Sequence, residues 1–298
     1  MSMGMLSEAA KDMGGSLHGA DCAFDSVSTD TRTIGPGQLF FALRGDRFNA
    51  SDFVEDAATR GAAGAVVETI APVELAQIEV HDARVALGAL AQKWRRKFAI
   101  PVIGITGSNG KTTVKELTAA ILRASLAGVD AVLATRGNLN NDIGMPLTLL
   151  SLRNHHRAAV IEMGANHPGE IATLATIAEA NIAIITNAAR AHLEGFGSIE
   201  DVVRTKGELL DSLSVNDTAV LNRDDAFFAD WEARVGSARL ITFGLSAAAD
   251  YRAENVRQIF RDGQSLFEFD LISPDGSVAI VLPLVGQHNV LNLSLIHI

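Results

Sequence analysis

The sequence has only one cysteine, Cys22, which excludes a disulfide within the chain. It also has no apolar run as long as a membrane span, and residues 1–15 lack the apolar core of a signal peptide. Both absences favour the reducing cytoplasm as the compartment in which the protein works.

Basic residues are scarce as well, with 25 lysines and arginines against 35 acidic residues and a formal net charge of −10. This balance argues against general nucleic-acid binding, which relies on a basic surface to neutralise phosphates. An anionic substrate must therefore be held by local donors that act against the field of the whole chain.

Apolar residues, by contrast, make up 48% of the 298 residues, which is enough to bury β-sheets. A chain of this length favours two domains. Pro101 restarts the chain as a strand after the basic end of a predicted helix over residues 83–98. We therefore predict one domain over residues 1–98 and a second over residues 99–298.

Short apolar runs alternate with helical patterns along most of the chain. The predicted strands are 38–43, 65–68, 102–105, 158–163, 182–186, 218–221 and 240–243, and the predicted helices are 52–60, 83–98, 114–126, 169–179 and 199–213. In the second domain this alternation predicts a parallel sheet covered on both faces, with ligands at the carboxyl ends of its strands. The runs 265–272 and 277–285 flank the turn PDG and predict an antiparallel β-hairpin at the sheet edge.

The sequence GITGSNGKTT, residues 104–113, joins a predicted strand to a predicted helix. Gly107 and Gly110 allow the backbone to curl so that successive N–H groups point inward, and the helix adds its positive N-terminal end. Lys111 would then reach the outer phosphates of a nucleotide, and Thr112 would offer a hydroxyl to Mg²⁺.

The loop departs from the strict phosphate-loop pattern at Ile105, where that pattern requires a glycine. An ordinary glycine turn between a strand and a helix is the alternative interpretation. A lysine followed by two threonines has no structural need at such a turn, which favours phosphate binding.

Three further candidate groups follow predicted strands or lie soon after them. Glu162 closes a strand and could hold Mg²⁺ beside a phosphate loop, although a buried acid with a local partner is an equal alternative. His192 lies in the loop AHLEGFGS, where a solvated histidine is the more common case. Lys206 lies in a predicted helix and, by pattern alone, is an ordinary surface lysine.

Two polar loops are candidates for substrate contacts. Residues 28–32, STDTR, could bind a sugar, a base edge or a phosphate, although composition alone favours a capped and solvated turn. Residues 137–146, GNLNNDIGMP, are rich in amides that could orient a polar substrate.

Together and in this order, these segments resemble the Mur ligases, the ATP-dependent enzymes that build the peptidoglycan stem peptide. TGSNGKTT is similar to their ATP loop, and IEMGANHPGEI carries their metal-binding glutamate at Glu162. TNAARAHLEGFGS resembles their metal-site histidine segment, with His192, and RTKGELL places Lys206 where the family has a lysine carbamylated by CO₂. GQHNVLN resembles their adenine-side segment, through Asn289 and Asn292.

Within the family the resemblance is to the MurF type, which adds D-alanyl-D-alanine. The segment GNLNNDIGMPLTLL distinguishes this sequence from the MurE type. The MurE type has a threonine-threonine-proline element in that region, and this sequence lacks it there. STDTRTIGPGQLFFALRGDRF is similar to the MurF uridine-nucleotide domain. The fold implied is α/β: a small N-terminal uridine-nucleotide domain, then a P-loop-type central domain with a mostly parallel sheet and an antiparallel addition. The family's C-terminal Rossmann-like domain is absent from this sequence.

The resemblance implies a cytoplasmic ligase that joins D-alanyl-D-alanine to UDP-MurNAc-tripeptide through an acyl phosphate, using ATP and Mg²⁺. It assigns catalysis to Lys111, His192 and Lys206; Mg²⁺ to Thr112, Glu162, His192 and Lys206; ATP to Gly107, Ser108, Asn109, Gly110, Lys111, Thr112, Thr113, Asn289 and Asn292; and the other substrates to Ser28, Thr29, Asp30, Arg32, Arg47, Asn138 and Asn141. It implies no nucleic-acid partner and a monomer at full length.

Three alternatives stay open: a MurE-type ligase, a folylpolyglutamate-synthase-type ligase, and a nucleotide-binding protein without catalysis. The sequence stops at LSLIHI, where the family continues into an alanine-rich helix and a further domain. We therefore expect a truncated chain that binds the uridine-nucleotide substrate, binds ATP weakly and does not form the amide bond.

Overall fold

The computed structural model describes residues 2–45, 53–126, 128–189, 196–261, 263–284 and 287–294. Up to the end of the third helix its elements are β1 (Gly4–Met5), α1 (Leu6–Met13), β2 (Ser16–His18), β3 (Ala23–Phe24), β4 (Ser26–Ser28), β5 (Gln38–Phe41), α2 (Val54–Thr59), β6 (Gly64–Val67), β7 (Gln77–Glu79) and α3 (Ala83–Arg95). They are followed by β8 (Val102–Thr106), α4 (Lys111–Ser125), β9 (Val132–Ala134), α5 (Gly144–Leu149), β10 (Ala158–Glu162), α6 (Glu170–Ala178), β11 (Ile182–Ile185), α7 (Ile199–Gly207), β12 (Thr218–Asn222), α8 (Phe228–Glu232), β13 (Arg239–Gly244), β14 (Tyr251–Arg261), β15 (Gln264–Ser273), β16 (Gly276–Leu282) and α9 (Gln287–Ser294).

The chain folds as two compact units. The first contains residues 1–99 together with the later segment 142–153, and the second contains residues 100–141 and 154–298. The chain therefore leaves the second unit within the amide-rich loop, after residue 141, and contributes α5 to the first unit.

The first unit is built on a five-stranded sheet in the order β2-β7-β6-β5-β4. Strands β4 to β7 pair in parallel, and β2 is antiparallel to β7. Helix α3 begins at a clear N-cap, because the Asp82 carboxylate accepts hydrogen bonds from the N–H groups of Arg84 and Val85. The helix ends at Arg95, three residues before the predicted end, and its cap is Arg96.

The second unit is built on a nine-stranded sheet in the order β16-β15-β14-β13-β12-β11-β8-β10-β9. Strands β8 to β14 pair in parallel, and β15 and β16 extend the sheet beyond β14 through antiparallel pairs. This architecture confirms the fold predicted from the alternating pattern. Since β8 lies between β10 and β11, the chain segments that follow these three strands meet at one edge of the sheet.

The centre of this sheet is a buried apolar cluster. Ile105, Val160, Ile184 and Val220 come from four neighbouring strands, and Val114 of α4 packs against them. Continuous apolar strands of this kind are typical of a parallel sheet covered on both faces. Among the residues that the structure describes, no helix has the length and apolarity needed to cross a membrane.

Two helix boundaries in this unit differ from the sequence prediction. Helix α4 begins at Lys111 rather than at residue 114, so the lysine and both threonines of the loop lie in its first turn. Helix α7 ends at Gly207 rather than at residue 213. The next residue, Glu208, uses both carboxylate oxygens to accept hydrogen bonds from the N–H groups of Gly169 and Ala172, at 2.9 Å each. These bonds cap α6, and the chain continues after Glu208 into a short 3₁₀ helix, Leu210–Ser212.

Candidate functional site

The glycine loop lies between the end of β8 and the start of α4. Gly107 has φ +142° and Gly110 has φ +82°, backbone conformations that side chains with a Cβ rarely adopt. The ammonium of Lys111 donates hydrogen bonds to the carbonyl oxygens of Gly107, at 2.8 Å, and Ser108, at 3.3 Å. The lysine therefore folds back over the loop instead of extending into solvent, and burial lowers its pKa while the charge of Glu162 opposes that shift.

The loop is bound to the segment that follows β11. Asn187 accepts a hydrogen bond from the Ser108 N–H through its carbonyl oxygen, at 2.9 Å, and one from the Asn109 N–H through Oδ1, at 3.1 Å. The Asn187 Nδ2 group donates a hydrogen bond to the Asn109 carbonyl oxygen at 3.1 Å. The same carbonyl oxygen accepts a second hydrogen bond from Thr186 Oγ1 at 2.6 Å. The sequence predicted that successive loop N–H groups point inward, but those of Ser108 and Asn109 donate to Asn187 instead. The N–H groups of the first turn of α4 have no intrahelical acceptor, and they could bind an anion.

Gly107 packs so closely against this segment that replacing it should disrupt the loop. An added Cβ would overlap Thr186 Oγ1, and alanine would also be strained at this φ. We expect Gly107→Ala to weaken nucleotide binding by at least about tenfold, measured by calorimetry, while the circular dichroism spectrum stays native.

A matched control is Gly276→Ala, because Gly276 has φ +136° and the added Cβ meets no other atom of the described residues within 4 Å. Gly276→Ala introduces the same kind of backbone strain in β16, outside the glycine loop, and its added Cβ overlaps no other atom of the described residues. Equal nucleotide affinity in the two variants would show that the contact with Thr186 does not shape the loop.

Glu162 is buried at the end of β10, with 2% of its surface exposed. Its Oε2 accepts a hydrogen bond from Thr112 Oγ1 at 3.0 Å, and its Oε1 accepts one from Asn140 Nδ2 at 2.8 Å. Its own N–H donates to Thr135 Oγ1 at 2.9 Å. A carboxylate and a hydroxyl are ligands that Mg²⁺ prefers, so Thr112 and Glu162 together suit that ion. No group of three or more His, Cys, Asp or Glu side chains among the described residues is arranged to hold a metal.

Lys206 is buried in α7, with 3% of its surface exposed. The interpretation of this residue as a surface lysine, which rested on the helical pattern alone, is therefore wrong. Its Nζ lies 5.6 Å from the ring centroid of Phe196. Burial, together with the positive charge of Lys111, lowers the pKa of Lys206 to about 8, against the opposing charges of Glu170 and Glu208. His192, like Arg47, lies outside the described residues.

A cavity of about 450 Å³ opens beside the loop. It is lined by Asn109, Gly110, Thr113, Thr186, Asn187, Asn222, Phe243, Leu291 and Asn292. The first three and Asn292 were candidates from the sequence, whereas Thr186, Asn187, Asn222, Phe243 and Leu291 were missed. Asn289 does not line the cavity but accepts a hydrogen bond from Asn292 Nδ2 through its Oδ1, at 3.2 Å. An aromatic ring among amides gives the cavity both an apolar wall and donors for a flat polar ligand.

The polar turn of the first unit is largely bonded to itself. Arg32 donates to both carboxylate oxygens of Asp30, with its Nε at 2.9 and 3.1 Å and its Nη2 at 2.7 Å, which lowers the pKa of Asp30 to about 2. Ser28 Oγ donates to the Asp30 carbonyl at 3.2 Å, and the neighbouring Thr29 is half-buried. These bonds fit the capped turn that composition favoured, and they leave the Arg32 side chain 86% exposed.

Of the amide-rich loop, the two candidate residues Asn138 and Asn141 are both exposed. The residue that reaches the buried carboxylate is Asn140, which was not among the candidates. No pattern in the sequence separates these three asparagines, because the choice depends on how the loop lies against β10.

Comparison with known families matches both parts of the chain. A model described as the Mur ligase middle domain matches residues 105–296, and one described as the Mur ligase family, catalytic domain, matches residues 23–95. The first match covers the glycine loop from Ile105 onward, Glu162, Lys206 and the cavity.

Individual relatives agree with these matches. The UDP-N-acetylmuramoyl-tripeptide–D-alanyl-D-alanine ligase of Escherichia coli (strain K12) is 44% identical over 288 residues, which are 96% of this chain and 62% of that protein. A crystal structure of MurF from Acinetobacter baumannii matches with a TM-score of 0.91 at 35% identity, over 98% of this chain and 63% of that one. The MurF ligase from Thermotoga maritima in complex with ADP matches with a TM-score of 0.78 at 26% identity, over 91% and 61% of the two chains.

More distant structures share the fold alone. A UDP-N-acetylmuramoyl-L-alanyl-D-glutamate–2,6-diaminopimelate ligase is 23% identical, with a TM-score of 0.62, and Escherichia coli FolC is 18% identical, with a TM-score of 0.50. The chain spans about 62% of the length of its Escherichia coli relative.

Proposed function

The chain belongs to the Mur ligase family, and we propose that it carries the ATP and metal side of a ligase that joins D-alanyl-D-alanine to UDP-N-acetylmuramoyl-tripeptide. The observation that carries the proposal is the placement of Lys111 and of the Thr112–Glu162 pair at the ends of the adjacent strands β8 and β10. The ADP in the Thermotoga maritima structure and the names of the relatives support the choice of ATP and of the MurF type.

The proposed reaction has two steps. The terminal carboxylate of the tripeptide attacks the γ-phosphorus of ATP, the bond from that phosphorus to the bridging oxygen breaks, and ADP leaves. The amine of D-alanyl-D-alanine then attacks the acyl carbon, phosphate leaves with the former acyl oxygen, and the amine loses a proton as the amide forms. Each step places negative charge on oxygens that the protein must stabilise.

The residues of the chain divide this work. The Lys111 ammonium, now bonded to two loop carbonyls, would turn to the transferring oxygens when the nucleotide binds. The first turn of α4 offers its N–H groups to the phosphates. Thr112 and Glu162 would hold Mg²⁺, which neutralises phosphate charge when it is bound.

Lys206 suits the carbamylation that the family resemblance implies. Reaction with CO₂ needs a neutral amine, and burial with a nearby positive charge lowers the pKa of Lys206 to about 8. The carbamate would convert a cation into an anion on the same side of the site as Lys111. We extend the proposal to His192, which would join the metal side.

The first unit would bind the uridine nucleotide, with the exposed guanidinium of Arg32 as a donor for its phosphates. Arg47 belongs to the same proposal by resemblance alone. Asn138 and Asn141 would contact the peptide from the amide-rich loop. The proposal further includes a cytoplasmic location and a monomeric full-length enzyme.

The test is a ligation assay with ATP, Mg²⁺ and UDP-MurNAc-tripeptide, read by mass spectrometry. Because the chain spans about 62% of its Escherichia coli relative, the assay uses a chimera that takes the remaining part from that relative. D-alanyl-D-alanine, diaminopimelate and glutamate compete as amines. We expect the pentapeptide product with this acceptor. No product here, but ligation of diaminopimelate to UDP-N-acetylmuramoyl-L-alanyl-D-glutamate or of glutamate to a folate in parallel reactions, would favour the MurE-type or the folylpolyglutamate-type alternative.

A further inference from the structure

The buried carboxylate of Glu162 is held by two donors, and the role of one of them is not explained by nucleotide binding. Thr112 belongs to the glycine loop, but Asn140 comes from the separate loop after β9. We propose that Asn140 is a positioning residue that fixes the Glu162 carboxylate so that Oε2, beside Thr112, faces the cation. This inference rests on the metal site of the proposed function.

The position of Asn140 is determined by its surroundings. Its carbonyl accepts a hydrogen bond from the Gly164 N–H at 2.8 Å, and its own N–H donates to the Asn138 carbonyl at 2.7 Å. These two backbone bonds fix the loop on both sides of the amide. The side chain is then directed at Glu162 Oε1, 2.8 Å from Nδ2.

Gly164 is the residue that leaves room for this contact. A Cβ at position 164 would lie 2.8 Å from Asn140 Oδ1 and 2.9 Å from its Cγ, closer than real Cβ contacts come. Any larger residue at this position would therefore displace the amide. No positive φ accounts for this glycine, so the close approach of Asn140 is the reason that the structure gives for it.

The chemistry of the amide suits a positioning role. An Nδ2–H group can donate to a carboxylate oxygen and orient it, but it carries no charge that would cancel the charge of the carboxylate. A lysine or arginine in the same place would compete with the cation for that charge. Asn140 therefore holds Oε1 and leaves the anionic character of the carboxylate available at Oε2.

In the experiment, Mn²⁺ is titrated into the chain in the presence of a non-hydrolysable ATP analogue. Electron paramagnetic resonance measures the Mn²⁺ that stays unbound, which gives the Mn²⁺ affinity. We expect Asn140→Ala and Gly164→Ala each to weaken Mn²⁺ affinity by about 10- to 100-fold, the usual effect of removing a group that orients a metal ligand. The double variant with both substitutions should bind Mn²⁺ with about the same affinity as Asn140→Ala, because both changes break the same contact. Affinity for the nucleotide without metal should stay unchanged.

The matched control is Asn166→Ala, which removes an exposed amide from the loop after β10 and should leave Mn²⁺ affinity unchanged. Thermal unfolding of every variant is recorded alongside. A lower unfolding temperature of Asn140→Ala with native Mn²⁺ affinity would overturn the inference and leave Asn140 a purely structural role.

Glu162→Gln separates this inference from the proposed function. If Glu162→Gln also leaves Mn²⁺ affinity unchanged, the proposed metal site itself is wrong. If Glu162→Gln weakens Mn²⁺ binding and Asn140→Ala does not, only the positioning role of Asn140 fails.

Discussion

Replacing Lys111 by alanine in the chimera is expected to lower the rate of ATP-dependent phosphate release by about three to five orders of magnitude. Its ammonium is the cation nearest to the loop carbonyls of Gly107 and Ser108 among the contacts that the structure describes. The fold should survive, because the side chain contacts the loop backbone and not the apolar core. Phosphate release is measured in the presence of both substrates.

The control for Lys111 is Lys93→Ala, which removes an exposed lysine of the first unit. We expect it to retain native activity and stability. Native phosphate release by Lys111→Ala would contradict the assignment of residues 104–113 as the ATP loop.

Replacing Lys206 by alanine should have the second largest effect, a loss of activity of about two orders of magnitude or more. The reason is the loss of the carbamate that would add a negative group to the metal side. Formate, acetate or added bicarbonate should then partly restore activity, because a small carboxylate can enter the space that the side chain leaves. Activity is measured in the chimera as a function of Mg²⁺ concentration with and without these anions.

An alternative role for Lys206 predicts a different result. If the buried side chain of Lys206 only fills space in α7, Lys206→Met should keep full activity in the chimera. Formate, acetate and bicarbonate should then leave the rate of that variant unchanged. Full activity of Lys206→Ala with an unchanged Mg²⁺ dependence would refute the carbamate.

The sequence predicts the sheet and the glycine loop because both depend on neighbouring residues. Apolar runs such as residues 158–163 indicate buried parallel strands, and Gly107, Gly110 and Lys111 lie within a few residues of each other. The structure places the predicted strands within one or two residues of the prediction, except that β16 ends at Leu282 rather than at residue 285.

The parts of the site that sequence analysis missed depend on the order of strands. Asn187 binds the loop because β11 lies beside β8, and Asn140 binds Glu162 because the loop after β9 lies beside β10. Neither residue stands out in a local pattern, since a polar residue after a strand is common. Only the neighbour relations among parallel strands select them.

Lys206 shows the limit of helical periodicity in the same way. The pattern around it has charges on neighbouring positions, which is typical of an exposed face. The structure nevertheless buries five of the nine residues of α7, including Lys206. Sequence analysis also could not find the contacts of Glu208, the residue after the helix, because its partners Gly169 and Ala172 lie far away in the sequence.

The most direct test of the account is the dependence of nucleotide affinity on Mg²⁺, measured by calorimetry on the chain with a non-hydrolysable ATP analogue. We expect Mg²⁺ to strengthen binding by about tenfold or more, and Thr112→Ala and Glu162→Gln each to remove this gain while metal-free binding persists. The same affinity with Mg²⁺ and with a chelator, or a full gain from Mg²⁺ in Glu162→Gln, would contradict it.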